Sequence, residues 1–233
     1  MEDGELFTKC LTRDAQSDIQ DTWKDDGNYK KHPNSTPKTD LISNKGAKLS
    51  LKKSTGAQAM SGGINETMAT LMTYSYLLDD NNQKKLESLF VDYDGNDIDW
   101  SGRNDERNKK LNKILKDIFD DKETNKKFII AVLTESITGS AKFGKKSKGT
   151  ATDILTWTPD GKIIKDDIKT YVCKIFNNIS KDSVTINHKS SGSTWACMRL
   201  YLPKYDNSHF EKDSDIFDIV DSVTNNEEII KRS

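Results

Sequence analysis

Residues 39–53 read TDLISNKGAKLSLKK, and this stretch decides which fold we expect. Residues 40–43, Asp-Leu-Ile-Ser, read as a short strand, and residues 44–46 are Asn-Lys-Gly, which favours a tight turn. Residues 47–53 then alternate apolar and polar side chains, which is the period of a strand with one buried face. We therefore predict a β-hairpin that has Asp40 at the start of its first strand.

The predicted hairpin brings a carboxylate, a hydroxyl and an ammonium group together. Alternate residues of a strand face the same way, so Ser50 and Lys52 share one face, and the tight turn brings Asp40 across from them. A carboxylate holds a divalent cation that activates water, and a lysine orients the water or shares the charge of the transition state. Hydrolysis of a phosphodiester needs these parts, and Mg²⁺, or Mn²⁺ in its place, requires only one or two protein carboxylates.

Helical periodicity flanks the hairpin on both sides. Residues 5–20 have apolar side chains at helical spacing, and residues 64–78 carry a broad apolar stripe. Residues 79–126 are strongly charged and hold a helical stretch near 105–120, so we interpret them as a helical insertion. The later predicted elements are a helix over 127–138 with Gly139 as its C-cap, a hairpin over 152–165, an ambiguous element over 166–180, strands at 183–187 and 195–202, and a helix near 213–222.

The hairpin and its flanking helices resemble the core of the PD-(D/E)XK, or restriction-endonuclease-like, nuclease superfamily. There, an Asp begins one strand of a hairpin and an acidic-X-Lys triplet lies on the next strand; Asp40 and Lys52 match the Asp and the Lys. The resemblance covers about residues 1–80 and implies a Mg²⁺-dependent nuclease that acts on DNA. It also implies that Glu5 is a metal ligand beside Asp40, and that Gln58 matches a polar residue that some branches carry beyond the lysine.

Ser50 departs from the pattern of the superfamily, which usually has Glu or Asp at this position. Serine is a poor metal ligand at neutral pH. Divergent branches show this substitution, and some recover a carboxylate from elsewhere; Glu66 and Glu135 are the candidates here. The backbone carbonyl of Leu51 is a further candidate metal ligand. If none of these groups reaches the site, we expect a domain that binds nucleic acid without cutting it.

Each candidate residue also has a structural interpretation. Asp40 and Lys52 could form a cross-strand ion pair on a solvated hairpin, worth about 0–1 kcal/mol. Glu5 could complement the dipole of its helix, and Glu66 could act as a capping residue early in the next helix. Glu135 is most simply a solvated residue, although glutamate is unfavourable near the C-terminus of a helix. These alternatives stay open at the level of the sequence.

A second place in the chain carries a similar arrangement. Asp153 begins a predicted strand, and residues 167–169, Asp-Ile-Lys, fit the acidic-X-Lys triplet literally. The predicted turn at residues 160–161 places Asp167 past the end of its strand, so we rank this location second.

The segment 140–149 is rich in lysine and glycine and lacks apolar periodicity, which predicts a basic loop. Lysines that neutralise phosphates supply non-specific affinity for nucleic acid. The predicted contacts with the DNA backbone are Lys53, Gln58, Lys142, Lys145, Lys146 and Lys148. A solvated loop in a lysine-rich protein is an equally good interpretation of the same residues.

The composition restricts the classes of protein. Of the 233 residues, 33% are hydrophobic and 31% are charged, and the formal net charge is −1. Low hydrophobicity with balanced charge permits folding. The acidic residues concentrate in 79–126 and after residue 203, so a near-zero total is compatible with a locally basic face.

Several compartments and site types are disfavoured by the sequence. No run approaches the roughly 18 apolar residues of a membrane span, and the acidic N-terminus is not a secretory signal, so we expect no membrane partner. The three cysteines lack CxxC spacing and the three histidines are scattered, which disfavours disulfides, structural zinc and a Ser-His-Asp triad. We expect a reducing, cytoplasmic location, that of the host cell if the protein is viral.

These observations lead to one set of expectations. The fold is α/β, a small central mixed β-sheet flanked by helices, as in a restriction-endonuclease-like core. A single nuclease-like domain spans 1–203 with the helical insertion 79–126, and 204–233 is an acidic C-terminal tail. The function is hydrolysis of DNA by a metal-dependent endonuclease or exonuclease. The alternative is a catalytically inactive nuclease-like protein that binds nucleic acid or is a structural or accessory protein of a phage; residues 50–63 also resemble proteins encoded by large tailed phages.

Overall fold

The structure is a computed structural model. It describes residues 7–10, 18, 20, 35–54, 57–96, 98–100, 105–188, 196–203 and 211–225. Within these residues the chain is an α/β protein with two β-sheets and seven α-helices, so the predicted class is confirmed. We expected one small central sheet, and the strands instead divide between two.

The larger sheet has five strands in the order β1-β2-β3-β5-β6. Its strands are β1 (Phe7–Cys10), β2 (Leu41–Ser43), β3 (Lys48–Lys53), β5 (Asp153–Trp157) and β6 (Ile163–Asp167). β3 and β5 are parallel and the other neighbours are antiparallel, so this sheet is mixed, as predicted. The central position of β3 places its residues between two hydrogen-bonded neighbours.

The predicted hairpin at residues 39–53 is confirmed. β2 and β3 pair antiparallel, with Leu41 opposite Leu49. The turn contains Gly46 at φ 86°, a backbone conformation that glycine adopts without steric cost. The N–H of Ser43 donates to the carbonyl of Ala47 at 2.9 Å and closes the turn. The hairpin therefore forms where the local sequence predicts it.

The predicted helix over residues 5–20 is wrong at residues 7–10. These residues form β1, which pairs antiparallel with β2 at the edge of the larger sheet. A short segment takes its conformation from the neighbour that offers hydrogen-bond partners, and tertiary pairing overrides a weak helical pattern. Apart from residues 18 and 20, the remainder of 5–20, including Glu5, lies outside the described residues.

The smaller sheet has three antiparallel strands in the order β4-β8-β7. They are β4 (Gln58–Gly63), β7 (Val184–His188) and β8 (Ala196–Tyr201). The strands expected near 183–187 and 195–202 are therefore confirmed. β4 comes from the glycine-containing segment 58–63, for which no strand was predicted. At Gly62 an added Cβ would lie 2.4 Å from the terminal methyl carbon of Met60 and 3.3 Å from Glu66, so the flexible end of Met60 would have to move.

The helices agree with most of the helical periodicity in the sequence. They are α1 (Ile64–Tyr74), α2 (Asp80–Glu87), α3 (Asp105–Asp120), α4 (Lys126–Thr138), α5 (Ser140–Phe143), α6 (Ile168–Asn178) and α7 (Ser214–Asn225). The predicted cap at Gly139 is confirmed, since this residue ends α4 at φ 65°. The ambiguous segment 166–180 divides into the end of β6 and α6.

The main hydrophobic core joins elements between β4 and α7, and a separate small cluster contains Ala69, Ala141 and Phe143. Residues 128–138 of α4 are all buried, which makes α4 the central helix. Leu111 and Leu115 of α3 contribute to the same core, as do Ile216 and Val220 of α7. The interval 79–126 and the first part of the predicted acidic tail therefore pack onto the rest of the domain. No helix within the described ranges is long and apolar enough to cross a membrane.

Candidate active site

Asp40 lies immediately before β2 and is anchored to the neighbouring strand. Its backbone N–H donates to the carbonyl of Leu49 at 2.8 Å. Its carboxylate Oδ2 accepts from the backbone N–H of Leu51 at 2.7 Å and from the Ser50 hydroxyl at 3.5 Å. The hairpin thus holds this carboxylate against β3.

Lys52 lies on β3 two residues beyond Ser50, so both side chains extend from the same face of the strand. Ser50 is buried and Lys52 is half-buried. Burial lowers the pKa of Lys52 to about 8; the charge of Lys38 lowers this pKa further, and the charge of Asp40 raises it. The structure therefore brings Asp40, Ser50 and Lys52 together, with the lysine close to its titration range at neutral pH.

Glu66 lies in the first turn of α1 and is buried between two lysines. Its Oε1 is 3.1 Å from the Nζ of Lys142 and 3.3 Å from the Nζ of Lys38. The side chain of Lys142 is 1% exposed and that of Glu66 is 5% exposed, whereas Lys38 is 19% exposed. The carboxylate of Glu66, a candidate to replace the acid missing at Ser50, is therefore neutralised by ammonium groups.

Glu135 is buried near the end of α4, and its carboxylate holds the following helical turn. Oε2 accepts from the N–H of Ala141 at 2.8 Å and from the Ser140 hydroxyl, and Oε1 accepts from the N–H of Lys142 at 3.1 Å. Burial raises the pKa of Glu135, and these hydrogen bonds act in the opposite direction. The unusual position of this glutamate thus has a structural reason, because it caps the N–H groups of α5.

The segment 140–149 differs in part from the basic loop that we expected. Residues 140–143 form the helical turn α5, and Lys142 lies in the protein interior, because its ammonium group pairs with Glu66. The prediction that Lys142 is an exposed loop lysine is therefore wrong. Lys145, Lys146 and Lys148 are exposed and line a cavity of about 950 Å³.

Lys48 connects this basic loop to the central strand. Its Nζ donates to the carbonyl of Lys145 at 3.1 Å and to that of Ser147 at 2.7 Å. Lys48 shares the face of β3 that carries Ser50 and Lys52, because the three residues alternate along the strand. The basic segments 38–53 and 142–148 therefore lie beside each other, which the sequence left open.

The remaining predicted contact residues are dispersed. Lys53 is exposed at the end of β3, and Gln58 begins β4 in the smaller sheet. Leu51 contributes its N–H to Asp40. Glu5 lies outside the described residues.

The acids of the second triplet location have structural partners. Asp167 is the last residue of β6, opposite Asp153, so its predicted place past the strand is wrong; it is also the N-cap of α6 and accepts from the N–H of Thr170 at 2.9 Å. Asp166 pairs with Lys174 at 2.8 Å, and Lys169 pairs with Asp221. This location is therefore explained by capping and ion pairing.

Comparison with known proteins gives no relative for this chain. No family model matches it, and neither a curated protein nor a solved structure gives a match. The functional interpretation accordingly depends on the residues and their geometry.

The site offers few protein ligands for a magnesium ion. The described residues contain no group of three or more His, Cys, Asp or Glu side chains arranged to hold a metal ion. The Oδ1 of Asp40 accepts no hydrogen bond from another described residue. Mg²⁺ is often held by one or two carboxylates plus waters and substrate phosphates, and Asp40 is the carboxylate that the hairpin offers.

Sequence reasoning missed Lys38. It lies two residues before Asp40 and contacts Glu66. The chain has 31 lysines, and Lys38 stands in a polar segment without periodicity, so nothing local distinguishes it. The residues Pro37 and Thr39 on either side give no further signal.

The buried lysines predict how stability depends on pH. Burial lowers the pKa of Lys142 to about 8 from its ordinary value of 10.5. Between these values the unfolded chain binds more protons than the folded chain, so the free energy of unfolding rises with pH. We expect urea unfolding to show a rise on the order of 1–2 kcal/mol between pH 7.5 and 9.5. A smaller rise is expected for Lys142→Met. If the wild type and this variant show the same pH dependence, the rise does not come from Lys142.

Proposed function

We propose that this chain is a metal-dependent nuclease that hydrolyses DNA phosphodiester bonds at the Asp40 end of the β2–β3 hairpin. The observation that carries the proposal is the hydrogen bond of 2.7 Å from the Leu51 N–H to Asp40. It fixes a carboxylate beside Ser50 and within electrostatic reach of Lys52. The resemblance of these residues to the PD-(D/E)XK pattern supports the same reaction and a restriction-endonuclease-like core.

Asp40 would hold Mg²⁺ or Mn²⁺ through Oδ1, which accepts no hydrogen bond from the described part of the chain. Such an ion, when bound, activates water and stabilises negative charge on the phosphate. The N–H of Leu51 and the hydroxyl of Ser50 contact Oδ2, so the carboxylate keeps one orientation. Ser50 thus supports Asp40 where most members of the superfamily have a second acid.

Lys52 would move the proton. A group transfers protons most effectively when its pKa is close to the working pH, and burial lowers the pKa of Lys52 to about 8. Its Nζ would exchange a proton with the water or with the leaving oxygen. In its charged form it would also stabilise the transition state.

The DNA backbone would lie along the basic loop beside β3. Lys145, Lys146 and Lys148 are exposed there, and Lys48 ties the loop to the strand that carries Lys52. Lysines placed in this way neutralise phosphates without reading the bases. Both endonuclease and exonuclease action are compatible with this surface.

A second candidate function is binding of nucleic acid without cleavage. It is favoured by the ion pairs of Glu66 and by the hydrogen bonds of Glu135 with α5, because these acids are engaged elsewhere. Ser50 then leaves Asp40 as the single acid on the hairpin face.

Incubation of the purified protein with supercoiled plasmid DNA separates these candidates. We expect nicked or linear DNA, or progressive degradation, with Mg²⁺ or Mn²⁺ and intact plasmid with EDTA. Binding with a steep salt dependence but no cleavage under either metal would instead support the binding protein. If the protein neither binds nor cuts the plasmid, both candidate functions are contradicted.

A further inference from the structure

Lys38 is fixed at the junction of the hairpin and the basic loop. Its backbone N–H donates to the carbonyl of Gly149 at 2.8 Å, and Asp40 follows two residues later. Its side chain passes close to Gly139, where an added Cβ would lie 3.0 Å from the Cγ of Lys38. The backbone and the first part of the side chain are thus held in place, and the ammonium group at its end contacts Glu66.

Glu66 binds two ammonium groups with the same oxygen, although one is enough to balance its charge. Lys142 makes the shorter contact, 3.1 Å, and its side chain is 1% exposed. A buried lysine needs its counter-ion, because an unpaired buried charge is strongly destabilising. Lys38 makes the longer contact, 3.3 Å, and is the more exposed of the two. Lys38 can therefore leave Glu66 while Lys142 keeps the carboxylate neutralised.

Lys38 is two residues before Asp40, whose backbone is hydrogen-bonded to β3, and its positive charge lowers the pKa of Lys52 on that strand. An anion placed between two such ammonium groups is attracted by both and removes their mutual repulsion. A phosphate is the anion that suits this position, since a compact ammonium group binds phosphate as a point charge.

We propose that Lys38 contacts a phosphate of the nucleic-acid backbone at the Asp40–Lys52 site, exchanging Glu66 for the phosphate when DNA binds. This inference rests on the proposed function and adds a substrate-binding residue to it. Lys142 stays with Glu66 throughout and is a positioning residue, because its side chain is buried.

Binding without catalysis tests the contact directly. Fluorescence anisotropy of a short labelled DNA duplex in EDTA gives the affinity and its dependence on salt. We expect Lys38→Met to weaken binding about tenfold and to lower the slope of log K against log salt by about one unit. Lys38→Arg should retain the slope. Lys113→Met is the matched control, because Lys113 is an exposed lysine of α3 that pairs with Asp117.

The outcomes separate this contact from the proposed function. If the wild type binds and cuts DNA but Lys38→Met has unchanged affinity and slope, the proposal for Lys38 is wrong. A loss in Lys38→Arg as large as that in Lys38→Met would also overturn a contact based on charge. If the wild type neither binds nor cuts DNA, the proposed function itself fails. Lys38→Gln, which keeps a polar side chain, replaces Lys38→Met if the latter does not fold.

Discussion

Replacement of Asp40 by Asn is expected to lower the rate of DNA cleavage by at least about 10²-fold. A metal ion supplies several kcal/mol of transition-state stabilisation, and each 1.4 kcal/mol is a factor of ten in rate. Asn keeps an acceptor for the N–H of Leu51 and removes the negative charge, so the hairpin should be retained. Initial rates on plasmid DNA under Mg²⁺, together with thermal unfolding, measure both effects.

The cleavage rate of a Lys52 variant is the measurement that complements that of Asp40→Asn. We expect Lys52→Met to lower cleavage by about 10²- to 10⁴-fold, the usual loss for a group that transfers a proton. The double variant should be little worse than either single variant, because groups that act as a unit give non-additive effects.

Lys169→Met is the matched control for Lys52, since Lys169 belongs to the second Asp-X-Lys triplet and pairs with Asp221. It should cut DNA at the wild-type rate. Cleavage lost in Lys169→Met and retained in Lys52→Met would move the site to the second triplet.

The second large expected effect is a loss of stability when one partner of the buried Glu66–Lys142 pair is replaced. Their charged atoms are 3.1 Å apart in the interior, and removal of one partner of such a pair costs about 3–5 kcal/mol. We expect Glu66→Gln to lower the free energy of unfolding by about 1–3 kcal/mol, because Lys142 loses its counter-ion; release of its proton, with a pKa already about 8, limits the loss. Lys142→Met should cost less than this, because Lys38 remains beside Glu66. Urea unfolding of both variants measures the two changes.

A double-mutant cycle isolates the coupling of this pair. The variant with both Glu66→Gln and Lys142→Met should be more stable than the sum of the single changes predicts, since neither charge is then left alone. Lys113→Met, which breaks an exposed pair of α3, should change stability by less than about 0.5 kcal/mol. Strictly additive changes at Glu66 and Lys142 would show that the two groups do not interact.

Much of the local structure could be predicted, because its causes are local. The hairpin of β2 and β3 follows from a short run, a glycine turn and the alternating residues 47–53, and α3 follows from its apolar stripe. Gly139 ends α4 in the left-handed conformation that glycine favours. Asp40, Ser50 and Lys52 are close because they belong to this one hairpin.

The parts that were not predicted depend on distant residues. β1 is a strand because β2 offers it an edge, and β4 is a strand because it pairs with β8, which lies more than 130 residues later. Lys142 belongs to a segment with the composition of a solvated loop, yet its side chain is buried and forms an ion pair with Glu66. Glu135 is buried because α5 supplies donors to its carboxylate. The sequence next to each of these residues does not indicate its distant partner.

The sequence by itself determined the hairpin and the carboxylate, hydroxyl and lysine that it carries, since turn chemistry and strand alternation act over a few residues. Tertiary structure decided which other charges surround them. It buried Glu66 and Lys142 as a pair, added Lys38, and used Lys48 to hold the basic loop against β3. The physical reason is that the cost of burying a charge depends on its partner, and the partner is chosen by the fold.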